Sequence, residues 1–215
     1  MGSMHNMTGL AGAVVAIAAS LMLVPGIERL TKSRMVLLMG AILGAALLPL
    51  GELPAAAYVR SVIGDLSITT ILWLGYGLLR PLLGGLPIAT RTRVVLQALV
   101  AIAAVALYPL ALGIGLFDPY RLGYGNPWFL GGLLALALAT WFARFYIIAL
   151  SVAFAVLAWA IGWYESNNLW DYLLDPLVSL YALGAIVYWG MKALRAPRGA
   201  LEEERGLRQL ITPRS

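Results

Sequence analysis

Carboxylates carry most of the chemistry open to this chain. Glu52, Asp65, Asp118, Glu165, Asp171 and Asp175 fall between or at the ends of apolar segments, and Asp65 lies within one. Such groups bind a cation, move a proton, or ligate Mg²⁺ or Ca²⁺ through oxygen. Asp65 sits in the run Ser61 to Thr70, where an ionisable side chain costs about 2.5–3.5 kcal/mol in a membrane helix unless a partner or water relieves it. At helical spacing Tyr58, Ser61, Asp65, Thr69, Trp73 and Tyr76 share one stripe ending near Arg80. A stripe of that kind makes a polar path; the competing reading pairs Asp65 with Arg60 or Arg121 and lets Thr69 bond a backbone carbonyl. The candidate binding residues are therefore Asp65, Thr69, Trp73 and Tyr76, with Glu165, Asp171 and Arg121 on the same side of the protein as Asp65. No residue is assigned a catalytic role.

Other chemistries are absent. The chain has no cysteine, so disulfides, thiolate nucleophiles and thiolate-bound metals are excluded, and its one histidine, His5, rules out paired-histidine sites and a serine–histidine triad. No phosphate-binding glycine loop or nucleophile elbow occurs, and no motif requires a metal or a cofactor. The net charge of +5 does not indicate nucleic acid, because the basic residues sit at the ends of apolar segments.

The elements that must position these groups are membrane helices. Hydrophobic residues make up 61% of the chain and charged residues 12%, against about 45–50% and about 25% in soluble domains. Spans are expected at Met7–Val24, Met35–Leu50, Val62–Leu79, Val94–Phe117 and Leu177–Lys192. The stretch Trp128–Trp163 would measure roughly 54 Å as one helix, against a hydrocarbon core of about 30 Å. Charge decides how it is divided. A hairpin turning near Arg144 puts Arg29, Lys32, Arg34, Arg80, Arg91, Arg93, Arg144, Lys192, Arg195 and the basic tail on one side, leaving only Arg60 and Arg121 opposite. A single crossing would scatter them, against the positive-inside rule.

The expected fold is thus an all-α polytopic membrane protein with seven transmembrane helices, N-terminus outside and C-terminus cytoplasmic, in a bacterial inner membrane. Residues 1–6 read as an appended scar or N-terminal tail, 7–195 as the seven-helix domain, and 196–215 as a basic cytoplasmic tail able to form a short amphipathic helix. Glycines within the spans read as helix-packing positions.

In this orientation the six carboxylates named above, of ten in all, fall on the outer side with many of the aromatics, as an interfacial belt would. Asp175–Pro176 and Asn126–Pro127 read as helix starts, Asp118–Pro119 as a turn, and Leu169–Leu174 as a short interfacial helix. Arg144 reads as snorkelling to the cytoplasmic surface, and Arg80, Arg91 and Arg93 flank a loop, Pro81 to Ala89, that attracts anionic headgroups.

The third and seventh spans echo one another: each follows a carboxylate, carries aromatics and ends in basic residues. Parallel repeats of three spans joined by a reversing fourth, a 3+1+3 arrangement, would produce this. Three functions compete. A small carrier or channel would gather a polar or cationic solute at the acidic, aromatic outer face and pass it along the Asp65 stripe. An enzyme acting on a lipid-linked envelope substrate would use Asp65, Glu165 and Asp171. A non-catalytic subunit or assembly factor would dock a membrane protein partner with its outer loops. Membrane lipid is a partner in every case, and nucleic acid in none.

Overall fold

The computed structural model describes residues 2–20, 30–84 and 88–195, and among these the protein is all-helical apart from one minute hairpin. The expected tail helix, and parts of the first span and of two basic links, lie outside the described residues. Helix α1 spans Gly2–Ser20 and α2 spans Lys32–Leu47, started by Thr31, whose hydroxyl accepts from the Arg34 amide. Pro49 disfavours helix at the residue before it, so α2 stops short of Leu50. There Pro49–Leu50 (β1) pairs antiparallel with Leu53–Pro54 (β2), closed when Tyr58 Oη donates to the Leu50 carbonyl at 2.7 Å.

The third span departs from expectation. A single helix over Val62–Leu79 is replaced by α3 (Ala55–Ile63), a link, and α4 (Ile68–Leu83). Gly64, at φ 74°, ends α3 in a conformation open to glycine, and Ser67 starts α4 by accepting from the Thr70 amide. Asp65 lies in the link, so the helical stripe from Tyr58 to Tyr76 does not exist as one surface.

Helix α5 runs Thr90–Ala111 and turns out before Phe117 through bends that include Gly113 and Gly115. A 3-10 segment follows at Pro119–Gly123. The stretch Trp128–Trp163 forms two helices, α6 (Pro127–Phe142) and α7 (Tyr146–Ala160), reversed at Arg144, the one non-glycine residue with positive φ (63°) among those described. Asn126 caps α6 by accepting from the Trp128 and Phe129 amides. Short α8 (Trp170–Leu173) and long α9 (Pro176–Arg195) complete the order.

Helices α4 to α9 share the main core, in which Ile68, Leu96, Val100, Ile148, Ala155, Leu169 and Tyr172 are buried. Packing pairs α5 with α9, α6 with α7 and α4 with α7, while α1 lies across α3 and α4. A second, smaller cluster of Ala13, Ala46 and Ala56 joins α1, α2 and α3. The glycines of α2, α4, α6 and α9 face open space instead of a neighbouring helix, because they lie on the outward faces. Gly12 of α1 does meet one: a Cβ there would stand 3.4 Å from Ile71 Cδ1.

Those outward faces are apolar. Leu37, Leu134, Phe142 and Leu194 are 75%, 61%, 79% and 87% exposed, so large apolar side chains stand outside the core. Two helices, α5 and α9, are long and apolar enough to cross a membrane; α4, α6, α7 and Leu10–Ser20 of α1 are apolar but shorter. The two ends of the bundle differ in chemistry. The Arg91 guanidinium sits 5.3 Å from the Phe145 ring, bringing the basic start of α5 beside the Arg144 turn. At the other end meet the starts of α4 and α9, the 3-10 segment and α8.

Candidate functional site

The starts of α4 and α9 are held together by one carboxylate. Asp175, 3% exposed, precedes Pro176, so it caps α9 by accepting from the Val178 amide at 2.9 Å through Oδ1. Its other oxygen reaches across to α4 and accepts from the Ser67 amide (2.9 Å), the Ser67 hydroxyl (2.7 Å) and the Thr70 hydroxyl. Four donors, three on Oδ2 and one on Oδ1, thus engage both oxygens of the carboxylate. All of them are neutral, and both helices direct their positive N-terminal ends at the charge. This arrangement holds an anion and offers no free oxygen to a cation.

Beside the clamp lies a polar cap built from two distant segments. Tyr120 donates to both oxygens of Asp171 at 3.1 and 3.0 Å, and the Ser166 hydroxyl donates to the same carboxylate at 2.5 Å. Asn168 Nδ2 donates to the Tyr120 carbonyl at 2.9 Å and its Oδ1 accepts from the Trp170 amide, while Trp170 Nε1 donates to the Pro119 carbonyl at 3.0 Å. Gly123 is required here: a Cβ at that position would stand 1.7 Å from Asn168 Oδ1. The cap reaches α4 through Tyr164, whose hydroxyl donates to the Leu66 carbonyl at 2.7 Å. Burial, then the charge of Asp171, pushes the Tyr120 hydroxyl well above the ordinary tyrosine range. Burial, then Asp65, does the same to Tyr164. Both remain donors at neutral pH.

Below the clamp α4 and α9 part, and between them, with α5 behind and α1 at one side, is a crevice of about 400 Å³. Trp73 and Tyr181 meet edge-on in its wall, with ring centres 6.4 Å apart. Leu74, Val100 and Ala182 line it, and Thr70 ties it to Asp175. Its deepest polar group is Gln97 of α5, 4% exposed. Trp189 Nε1 donates to Gln97 Oε1 at 3.3 Å, and Gln97 Nε2 donates to Tyr181 Oη at 3.3 Å.

The sequence-derived residues are therefore dispersed. Asp65 is ion-paired with Arg60 through two contacts, 2.5 and 3.0 Å, in which the pair is roughly a quarter to a third exposed. The hydrogen bond to Asp65 raises the already high pKa of Arg60. Thr69 is buried in the first turn of α4, Trp73 lines the crevice, and Tyr76 is half-buried further along. Asp171 belongs to the cap; Glu165 and Arg121 are exposed. Among the described residues no three acidic or histidine side chains are gathered as a metal site, so Asp65, Glu165 and Asp171 do not form the ligand set considered from sequence. Asp175 was read correctly as a helix cap, but its reach to α4 is tertiary and has no sequence signal. Gln97 did have one: an amide alone in an apolar helix warrants the same scrutiny as a charge.

The chain matches no protein-family model, no curated protein and no solved structure.

Proposed function

We propose that the protein is a seven-span carrier of a bacterial inner membrane, its spans being α1, α2, α4, α5, α6, α7 and α9, with the N-terminus outside and the C-terminus cytoplasmic. Exposed apolar faces around the whole bundle support residence in lipid. The basic end formed by Lys32, Arg34, Arg80, Arg91, Arg93, Arg144, Lys192 and Arg195 supports the orientation. Helices α6 and α7, at 16 and 15 residues, reach roughly 24 and 22 Å and depend on flanking apolar residues or local thinning to cross. Helices α4 and α9 start side by side, as the third spans of two parallel halves would.

The observation that carries the functional reading is the crevice. It lies between the first two turns of those two helices and is large enough for a small molecule. Of the Asp65 stripe, Trp73 alone lines it. Asp175 closes the outer end, and the solute site is centred on Trp73, Gln97 and Tyr181.

Two measurements test this. Single cysteines placed at Asn167 and Arg144 in this cysteine-free chain should react with a membrane-impermeant maleimide from outside and only after permeabilisation, respectively; the reverse pattern overturns the topology. Native mass spectrometry of the protein extracted from its own membrane should show a small molecule on the wild type that is lost when Ala182→Trp fills the crevice. A partner protein retained by both, with no small molecule, supports the second reading, a membrane subunit. That reading has one observation in its favour: the braced cap presents Trp128 and Tyr124, 88% and 61% exposed, beside the apolar loop Leu112 to Phe117. An enzyme is not proposed, since Asp65 and Asp171 are each engaged by neighbours.

A further inference from the structure

We infer that the crevice takes a neutral, ring-bearing, lipid-soluble molecule that accepts hydrogen bonds through a carbonyl group, of the quinone type. The inference rests on the carrier reading above and narrows its solute away from cations. Three observations lead to it.

The first is charge. Among the described residues no acidic or basic side chain lines the crevice, and Asp175, the carboxylate bonded to the lining residue Thr70, already accepts four hydrogen bonds. A cation entering here would lose its hydration and meet no counter-charge.

The second is the direction of the hydrogen bonds. An indole N–H only donates, so Trp189 fixes Gln97 with Oε1 toward itself and Nε2 toward Tyr181. Tyr181 Oη accepts from that amide, which leaves its own proton, and the second Nε2 hydrogen, to be used. Thr70, the other hydroxyl on the α4 side, spends its proton on Asp175. Two unspent donors, the Tyr181 hydroxyl and the second Nε2 hydrogen of Gln97, therefore remain at the crevice, and their complement is an acceptor.

The third is shape. The indole of Trp73 and the phenol of Tyr181 meet edge to face at 64° and form one aromatic wall against which a flat ring can lie, and apart from Ser20, Thr70 and Gln97 the remaining lining is aliphatic, suited to a tail.

The test uses the full chain in phosphatidylcholine nanodiscs, with quenching of tryptophan fluorescence by a decyl-substituted benzoquinone as the readout. Saturable quenching is expected, abolished by Ala182→Trp. Tyr181→Phe, which removes one hydroxyl from a half-exposed side chain, and Gln97→Leu should each weaken binding about five- to tenfold. Decylbenzene and decyltrimethylammonium should not displace the quinone. Wild-type affinity in Tyr181→Phe, or equal displacement by decylbenzene, would overturn the donor-based assignment and leave a site for an alkyl tail; displacement by decyltrimethylammonium would restore the cationic class. Absence of quinone binding, with a native molecule still lost on Ala182→Trp, refutes the ligand class and spares the carrier. Quinone binding unchanged by Ala182→Trp removes the crevice itself, and with it both readings.

Discussion

Two carboxylates flank the start of α4 and live in opposite circumstances. Asp65, two residues before Ser67, meets a full positive charge, yet the pair stands at the surface where water competes with it. Asp175, far away in sequence, meets no cation, yet four neutral donors and two helix ends enclose it out of water. The partly buried ion pair fastens a link to its own neighbouring helix; the buried carboxylate fastens two helices to each other. Enclosure, and not the charge of the partner, sets which one the fold depends on.

That contrast can be broken most directly by Asp175→Ala, which strands the Ser67 and Thr70 hydroxyls and two amides. A loss of about 3–5 kcal/mol is expected, seen as a large fall in the thermal midpoint in detergent by circular dichroism. Gly123→Ala attacks the cap beside the clamp; the new methyl collides with Asn168, and a loss of about 1–3 kcal/mol is expected in the same assay. A pH series sharpens the comparison further. The Tyr120 and Tyr164 hydroxyls are raised above 10 in the folded protein, so the unfolded chain loses those protons first, and stability should be flat from neutral pH and fall as pH climbs past about 10. Midpoints read between pH 7 and 11 check this; Tyr120→Phe should blunt the fall. The smallest effect belongs to Asp65→Asn, at about 0–1 kcal/mol, with crevice binding unchanged. A collapse of folding or binding on that substitution would invert the comparison.

Much of the helical layout was legible in local residues. Asn126–Pro127 and Asp175–Pro176 start α6 and α9, and the basic residue at 144 marks where a stretch too long for one helix reverses. The break at Asp65 was legible too, in Gly64 as a helix stop and Ser67 as a helix start, but the helical spacing of Tyr58, Ser61, Asp65, Thr69 and Trp73 hid it. The clamp was not legible, because its donors and acceptor lie 108 and 105 positions apart and nothing local specifies their meeting. The crevice depended on where α4 and α9 separate, a property of packing; of the residues expected on the polar stripe, Trp73 is the one that faces it.

Arg144 joins α6 to α7 in the left-handed region, where a glycine would sit without the roughly 1–2 kcal/mol that a side chain costs. During synthesis, however, that position is the only positive mark between two consecutive apolar segments, and a glycine there would erase it. In the topology proposed above, a glycine better suited to the finished turn would remove the one basic residue that assigns this turn to the cytoplasmic side, so the arginine would exchange a little equilibrium stability for a marker of orientation.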